Sequence, residues 1–578
     1  MSERPGSRPP TRREFFTASL SAAAALGLGL GPMRVYGATI PLHARARRAA
    51  PVAWLPDPLP DDALRTLALV AVDAARAAGA TFADVRVGVQ RSVSVPGHPY
   101  LPMVELSCGY GVRAWVDGTW SFQHGNVLTP EAVAAAATGA VAGARYNAAT
   151  NQRLARRRLS TSAAGVTGPT DAWAPAPAVT GEWTIPVEVD PFTVPIDDYH
   201  RVLGALAYPL KPRNVYASAS ARGQGLAWRG ETRVFASSEG SLVTQHTLRG
   251  GVVTSAFSRL PGENPPTEIR LEERMLGHVW GGFESALRPE PLEALRPQYE
   301  SVVRWHDLPF KRFDDVGRFP VVLDGRTTAA LIGCTLDTAL DGDRVSGLEA
   351  DASGGSFLEP PDSVLGAATA PFSPLLTMRV DRALPSPSAV QWDDDGVVPE
   401  PYTVVEQGKV VDYHTTRETA PMLADWYATH GRTLRSHGTA VAPKPSDVPC
   451  GTGGHVQVSP GATHADLDTL VRELDHGFLV IHGVAQATPG LTGAMVQQDP
   501  YDGVVFEVRR GVPVARVAPQ LQCKTTLAFG KNLLAIGDAR TLATTDVSVQ
   551  KGIPWTESTQ WVTAPAVLCK DFEITQFL

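Results

Sequence analysis

The residues with chemistry to offer gather between Arg326 and Phe357, in the stretch RTTAALIGCTLDTALDGDRVSGLEADASGGSF. Cys334, Asp337, Asp341 and Asp343 place one thiol and three carboxylates close together in the chain. Drawn to one point, such a set would suit a hard ion such as calcium or magnesium better than zinc, because oxygen donors dominate it. The plainer reading of Asp341 and Asp343 is that they solvate a loop and end a helix, since Asp341-Gly342-Asp343 has turn composition. Arg417 has the planar fork that binds a carboxylate through two bonds, although arginines more often lie at the surface. His437 stands in a glycine-bearing loop, Arg435-Ser436-His437-Gly438. His455, His464, His476 and His482 are too dispersed to define a ligand set, and His246 alternates with apolar neighbours as a solvent-face strand residue does. The five cysteines (Cys108, Cys334, Cys450, Cys523, Cys569) contain no CxxC pair, so they read neither as a disulfide framework nor as a structural zinc site.

Several elements must position these groups. Ala330, Leu331, Cys334 and Leu340 recur at three- and four-residue steps, which predicts an amphipathic helix ending at the Asp341-Gly342 turn. A short buried strand, Phe319 to Asp324, delivers the chain to it. Hairpins are expected at Asp117-Gly118, Gln407-Gly408 and Arg510-Gly511. Helices are expected from Asp61 to Ala78 and from Thr129, as cap, to Ala142. Thr232–Ala236 and Ser241–Arg249 alternate as strands do, around the turn Ser237-Ser238-Glu239-Gly240. Gly109-Tyr110-Gly111 is not followed by the rest of a phosphate-binding glycine pattern, so hairpin packing accounts for it better.

Length and composition allow two or three domains around sizeable cores, in an ordinary globular composition. A net charge of −7, from 52 basic and 59 acidic residues, argues against a broad nucleic-acid surface. Thr11-Arg12-Arg13-Glu14-Phe15-Phe16 matches a twin-arginine export signal, and the apolar run from Ala18 to Leu30 is too short to span a bilayer. The chain therefore divides into a signal at 1–37, a linker at 38–60, an amino-terminal domain at 61–160, a middle domain at 161–315 and a carboxy-terminal domain at 316–578. Periplasmic or extracellular localisation follows.

Leu340-Asp341-Gly342-Asp343-Arg344-Val345 resembles, almost letter for letter, a run in the TldD/PmbA family of metallopeptidases, also called modulators of DNA gyrase. Gly109–Ala114 is similar to the family's amino-terminal strand entry, and the order of hairpins matches. The resemblance lies nearer the TldD branch, where a His-Glu-x-x-x-His motif precedes the run. Here those three positions are Gly333, Cys334 and Thr338. The family's third ligand, a cysteine, has no counterpart in the matching stretch Val549–Glu557, and Cys569 lies beyond it.

The resemblance implies an α+β fold, with a mixed amino-terminal domain followed by a largely antiparallel β carboxy-terminal domain. It also implies a homodimer, or a heterodimer with a sibling, enclosing a chamber that admits peptides. Active members hold zinc, whose bound water needs about three protein ligands and a carboxylate base. Glycine offers no ligand, threonine a poor one, and Cys334 is no carboxylate. No metal is expected, and the first expectation is a metal-less subunit with Asp343, Arg344, Arg417 and His437 as substrate contacts. The alternatives are an active peptidase with displaced ligands (Cys334, Asp337, Asp341, Asp343) and a stand-alone secreted peptide-binding protein. Ligands five apart on a regular helix diverge by about 140°. A site of this kind therefore needs a distorted helix, and Asp337, where the family has glycine, argues against that distortion.

Overall fold

The structure is a computed structural model. It describes residues 33–35, 38–41, 59–96, 101–158, 173–207, 225–259, 268–273, 281–287, 308–311, 317–350, 352–356, 358, 371–429, 431–462, 464–481, 483, 487–488, 496–498, 504–517, 521–525, 527–552 and 555–577. Residues 1–50 and 51–578 form separate units. In the first, Met33–Val35 pairs with Ala38–Pro41; the twin-arginine segment and most of the expected linker lie outside the described residues.

The second unit opens with the helix Asp61–Ala77, which feeds the strand Phe82–Pro96. Its sheet runs in the order Thr119–Gly125, Met103–Val116, Phe82–Pro96, Gly225–Ser237, Leu242–Arg259 and Thr180–Thr184, with Glu268–Glu273 added on Leu242–Arg259. The strands between 161 and 315 thus build no sheet of their own among the described residues: those up to 273 extend the one begun by 61–160, while Phe310–Lys311 pairs with Val512–Val517 in the ten-stranded carboxy-terminal sheet. Met103–Val116 passes through Gly109 and Gly111 without a break. The second helix, Pro130–Arg158, runs well past Ala142 and through Gly143, whose cost its alanine-rich neighbours outweigh.

The two faces of this sheet differ sharply. Val85, Val87, Val112, Ala114, Val234 and Ala236 pack against the two helices in one apolar core, each fully buried valine contributing about 1.5–3 kcal/mol. The opposite face buries Asp84, Arg86, Arg113, Arg233 and Gln245 against the carboxy-terminal half. Glycines make that approach possible. A Cβ at Gly111 would lie 2.6 Å from the Pro445 carbonyl oxygen, and one at Gly88 would lie 2.8 Å from the Pro445 ring. Close passage of a second backbone, rather than hairpin packing alone, explains the Gly-x-Gly spacing.

The carboxy-terminal half holds two larger sheets. The ten-stranded one centres on Gly317–Leu323, which pairs parallel with His476–Ile481 and antiparallel with Val567–Phe577. The six-stranded one runs Lys409–Val410, Tyr402–Glu406, Met378–Val380, His455–Val458, Thr556–Ala564 and Ala543–Lys551, antiparallel except where His455–Val458 meets Thr556–Ala564. The fold is α+β. The helix Gly325–Ile332 leaves the central strand with Asp324 as its cap, the carboxylate accepting from Thr327 N at 2.8 Å. It packs on Ala543–Lys551 and Thr556–Ala564, inside the largest apolar core.

Candidate functional site

The helix does not run regularly into the acidic loop. After Ile332 it widens into a π-turn over Gly333–Asp337, tightens to a 3₁₀ turn over Thr338–Leu340, and stops at Asp341. The distortion is therefore present without a glycine at 337. An i→i+5 turn brings residues five apart back toward one face. It also frees backbone groups, and the Gly333 carbonyl is taken by the Gln560 amide at 2.8 Å, on a side chain with no exposure. Thr338 Oγ1 returns to the Cys334 carbonyl at 3.1 Å.

Around this turn, charges are buried and matched. Asp337 Oδ1 receives His414 Nε2 at 2.8 Å, and His414 Nδ1 meets the Tyr402 hydroxyl at 2.6 Å. The Lys551 ammonium lies 2.7 Å from Asp341 Oδ2 and 2.8 Å from Asp343 Oδ1, and donates to the Gly451 carbonyl. Arg344 Nε stands 3.8 Å from Asp341, and its Nη1 donates to the Ser353 carbonyl at 3.1 Å. Three carboxylates thus face Lys551, Arg344 and His414.

The pKa shifts follow from this arrangement. Burial pushes Asp341 up to about 6, with Lys551 pulling against it and Asp343 adding to it. Burial works against a charged Lys551, yet Asp341 and Asp343 raise its pKa. His414 is raised too: burial opposes its charge, and the Asp337 carboxylate overcomes that.

Asp341 and Asp343 are therefore not loop solvators. Asp341 has no exposure and Asp343 only 7 %, so the loop reading is corrected. Arg417 is likewise no surface residue. At 2 % exposure it forms a two-bond pair with Glu239 (2.8 and 3.0 Å), donates Nε to the Ala174 carbonyl, and lies over Trp173. Glu239 belongs to the Ser237–Gly240 turn, so this pair ties the turn to the carboxy-terminal half. His437 is buried, stacked on Tyr402 with ring centroids 3.9 Å apart, and paired with Asp412 at 3.0 Å. Asp412 is itself held low: burial opposes its charge, but the His437 and Tyr427 bonds outweigh it. The residues expected to meet substrate are thus engaged in internal contacts.

The motif positions do not fit a zinc ion. A Cβ at Gly333 would sit 2.7 Å from Val547 Cγ2 and 2.9 Å from Val562 Cγ2, so apolar core fills the first ligand's place. Cys334 belongs to that core, and Thr338 spends its hydroxyl on backbone carbonyls. Cys569 is buried in the strand Val567–Phe577, and burial pushes its thiol up to about 12. In the displaced set, Asp337 Oδ2 and Asp341 Oδ1 are buried without a hydrogen-bond partner among the described residues, but the Lys551 ammonium lies against Asp341 and Asp343, so a metal ion there would have to displace it. The described residues that do bring three donor atoms within 4.8 Å of one another are Asp61, Glu182 and His246. They lie where the start of the helix Asp61–Ala77 meets the amino-terminal sheet, and there Arg65 already pairs with Glu182 at 2.7 Å and His246 with Asp61 at 3.0 Å. His246 is therefore half-buried in an ion-pair cluster rather than on a free strand face.

Residues 316–576 match the PmbA/TldA metallopeptidase C-terminal domain. Residues 316–576 thus form a TldD/PmbA-family domain. Compared with curated proteins, the sequence has no match. Among solved structures it is similar to TldE from Thermococcus kodakarensis, at 14 % identity and a TM-score of 0.59, covering 89 % of this chain and 100 % of that one. It is also similar to a Bacteroides thetaiotaomicron protein described as a modulator of DNA gyrase, at 15 % identity and a TM-score of 0.58, covering 89 % and 99 %. A third, from Thermotoga maritima and described in the same way, stands at 13 % and 0.55, covering 88 % and 99 %. Lys551, His414, Tyr402 and Asp412 escaped sequence reasoning. The available signal for Lys551 was its place in Val549–Glu557, the stretch matched to the TldD/PmbA third ligand. His414 carried a weaker one, following directly on the Gln407-Gly408 hairpin.

Proposed function

We propose that the chain is a metal-less TldD/PmbA subunit, exported by the twin-arginine route, that shapes a peptide-processing chamber together with an active sibling. The observation that carries this reading is Lys551. The strand matched to the family's third ligand presents an ammonium to Asp341 and Asp343, so a fixed internal cation answers the carboxylates. A buried carboxylate pair needs such a counter-charge. With no carboxylate at 334, the cluster's one carboxylate poised near neutrality, Asp341, has no exposure and lies against the Lys551 ammonium, so it is not free to take a proton from a bound water.

The test is metal content and peptidase activity of the purified mature chain, alone and after co-expression with a candidate sibling. No metal alone, but about one zinc per heterodimer with activity, supports the proposal. About one tightly bound zinc in the lone chain overturns it in favour of displaced ligands. No metal in either, with peptides still bound, favours the stand-alone peptide-binding protein. Export is tested separately: replacing Arg12 and Arg13 by lysine in a reporter fusion should abolish translocation, and unchanged translocation refutes that route.

A further inference from the structure

Between the charged face of the amino-terminal sheet and the carboxy-terminal loops lies a cavity of about 80 Å³. Its wall carries three arginines (Arg233, Arg249, Arg382) and three acids (Glu231, Asp393, Asp394). The acids are already satisfied. Asp393 accepts from the N–H groups of Asp395, Val397 and Ala440 at 2.9, 2.8 and 3.1 Å. Asp394 accepts from Ala442 N at 2.7 Å and pairs with Arg233, which also holds Glu231.

Two of the arginines are not satisfied. Arg249 has no hydrogen bond or ion pair among the described residues, and its Nε is closed off from solvent. Arg382, 6 % exposed, gives Nη1 to the Gly438 carbonyl at 2.6 Å, while its buried Nε has no partner. A guanidinium carries five N–H donors, and burying donors and charge without partners costs free energy. Burial and the neighbouring Arg382 accordingly bring Arg249 down to about 10, and burial lowers Arg382 as well. An anion entering the cavity would relieve both.

We propose that this cavity binds a carboxylate, as the charged end of a short peptide, between Arg249 and Arg382. Charge selects the ligand: burial and the neighbouring Asp395 push Asp393 up to about 8, so three arginines face two charged acids near neutral pH. The net single positive charge matches a carboxylate better than the double charge of phosphate. Size agrees, because a water needs about 10–15 Å³ of such volume, and this space takes a carboxylate with its first few carbons. Apolar surface on Val390, Trp392 and Pro443 receives those carbons. The inference stands apart from the metal question, since it reads the same with or without a sibling subunit.

Isothermal titration of the full mature chain tests it, using trialanine with a free carboxylate, trialanine amide and inorganic phosphate as probes. The free acid should bind at least about tenfold more tightly than the amide, which corresponds to loss of one charge-assisted bond pair. Arg249→Gln should weaken the acid about tenfold without lowering the unfolding temperature, because its guanidinium has no partner to lose among the described residues. Equal binding of acid and amide, or no binding of either, overturns the proposal in the unmodified chain. Tighter binding of phosphate than of the acid overturns the carboxylate assignment, and an unchanged affinity in Arg249→Gln overturns the location.

Discussion

Lys551→Met tests the central electrostatic argument. Methionine keeps most of the lysine's length and apolar stem while removing the charge. It leaves Asp341 and Asp343 without their 2.7 and 2.8 Å partner, at a position where Lys551 is 1 % exposed. Removing one member of a buried ion pair costs about 3–5 kcal/mol, chiefly because the other charge stays buried and uncompensated. At about 2.1 cal/mol/K per residue over the unit 51–578, that is a fall of about 3–5 °C in the unfolding midpoint. The sign of the pH effect follows from Asp341, whose pKa is raised to about 6 in the folded chain, against about 3.9 when unfolded. Between those values the folded state binds more protons than the unfolded one, so this group adds stability as pH falls and loses it as pH rises through the folded pKa. Without Lys551 the folded pKa rises further, so the deficit of the variant should narrow on acidification. Thermal unfolding of both proteins at about pH 7.5 and about pH 5 measures this. The double variant Lys551→Met with Asp341→Asn should recover part of the loss at the higher pH, by removing the stranded carboxylate. A deficit below about 1 kcal/mol at the higher pH, or one equal at both, would refute the reasoning, because surface pairs behave that way and buried ones do not.

Three further outcomes are expected. Gly333→Ala should cost about 1–3 kcal/mol in thermal unfolding by forcing a methyl against Val547 and Val562, and a neutral result would mean that the core beside the π-turn can yield. Glu239→Gln should destabilise more than Arg417→Met, because Arg417 is buried while the Glu239 side chain is 39 % exposed and can hydrate when left alone; the reverse order would contradict the pairing. His414 has a raised pKa, so its stabilisation is complete below the unfolded value of about 6.5 and is lost as pH rises through the folded value. His414→Gln should flatten the pH dependence of the unfolding midpoint in that window, and an unchanged slope would place the titration elsewhere.

The sequence announced the frame of the fold through local signals. Apolar periodicity marked the helix after Asp324, and the hairpins at Asp117-Gly118, Gln407-Gly408 and Arg510-Gly511 carry their turn chemistry in two residues each, all three first residues having positive φ. The site was less legible, because its partners come from far along the chain. Lys551 meets Asp343 across 208 positions and Arg417 meets Glu239 across 178. An isolated arginine or aspartate carries no mark of burial; the statistical default sends it to the surface, and tertiary pairing reverses that default. The π-turn was misjudged for a related reason. Its support is not a glycine at 337 but a side-chain amide from Gln560 in another element.

On the metal-less reading proposed above, these long-range partners hold the acidic run in form. Asp341 sits where the Leu340 carbonyl accepts from His414 N and the Gly342 amide donates to the His414 carbonyl, so the loop is stitched to the Tyr402–Glu406 hairpin region by backbone bonds. That geometry places the carboxylates inward whatever the counter-charge is. Two carboxylates held inward without an answering cation would repel each other and pay desolvation with no return. A lysine on the adjoining strand end supplies the answer with a covalently attached, singly charged group. An ammonium has donors but no vacant position for a water to coordinate and lose a proton. On the metal-less reading proposed above, the lysine that holds the loop in place therefore also leaves no means of activating water there.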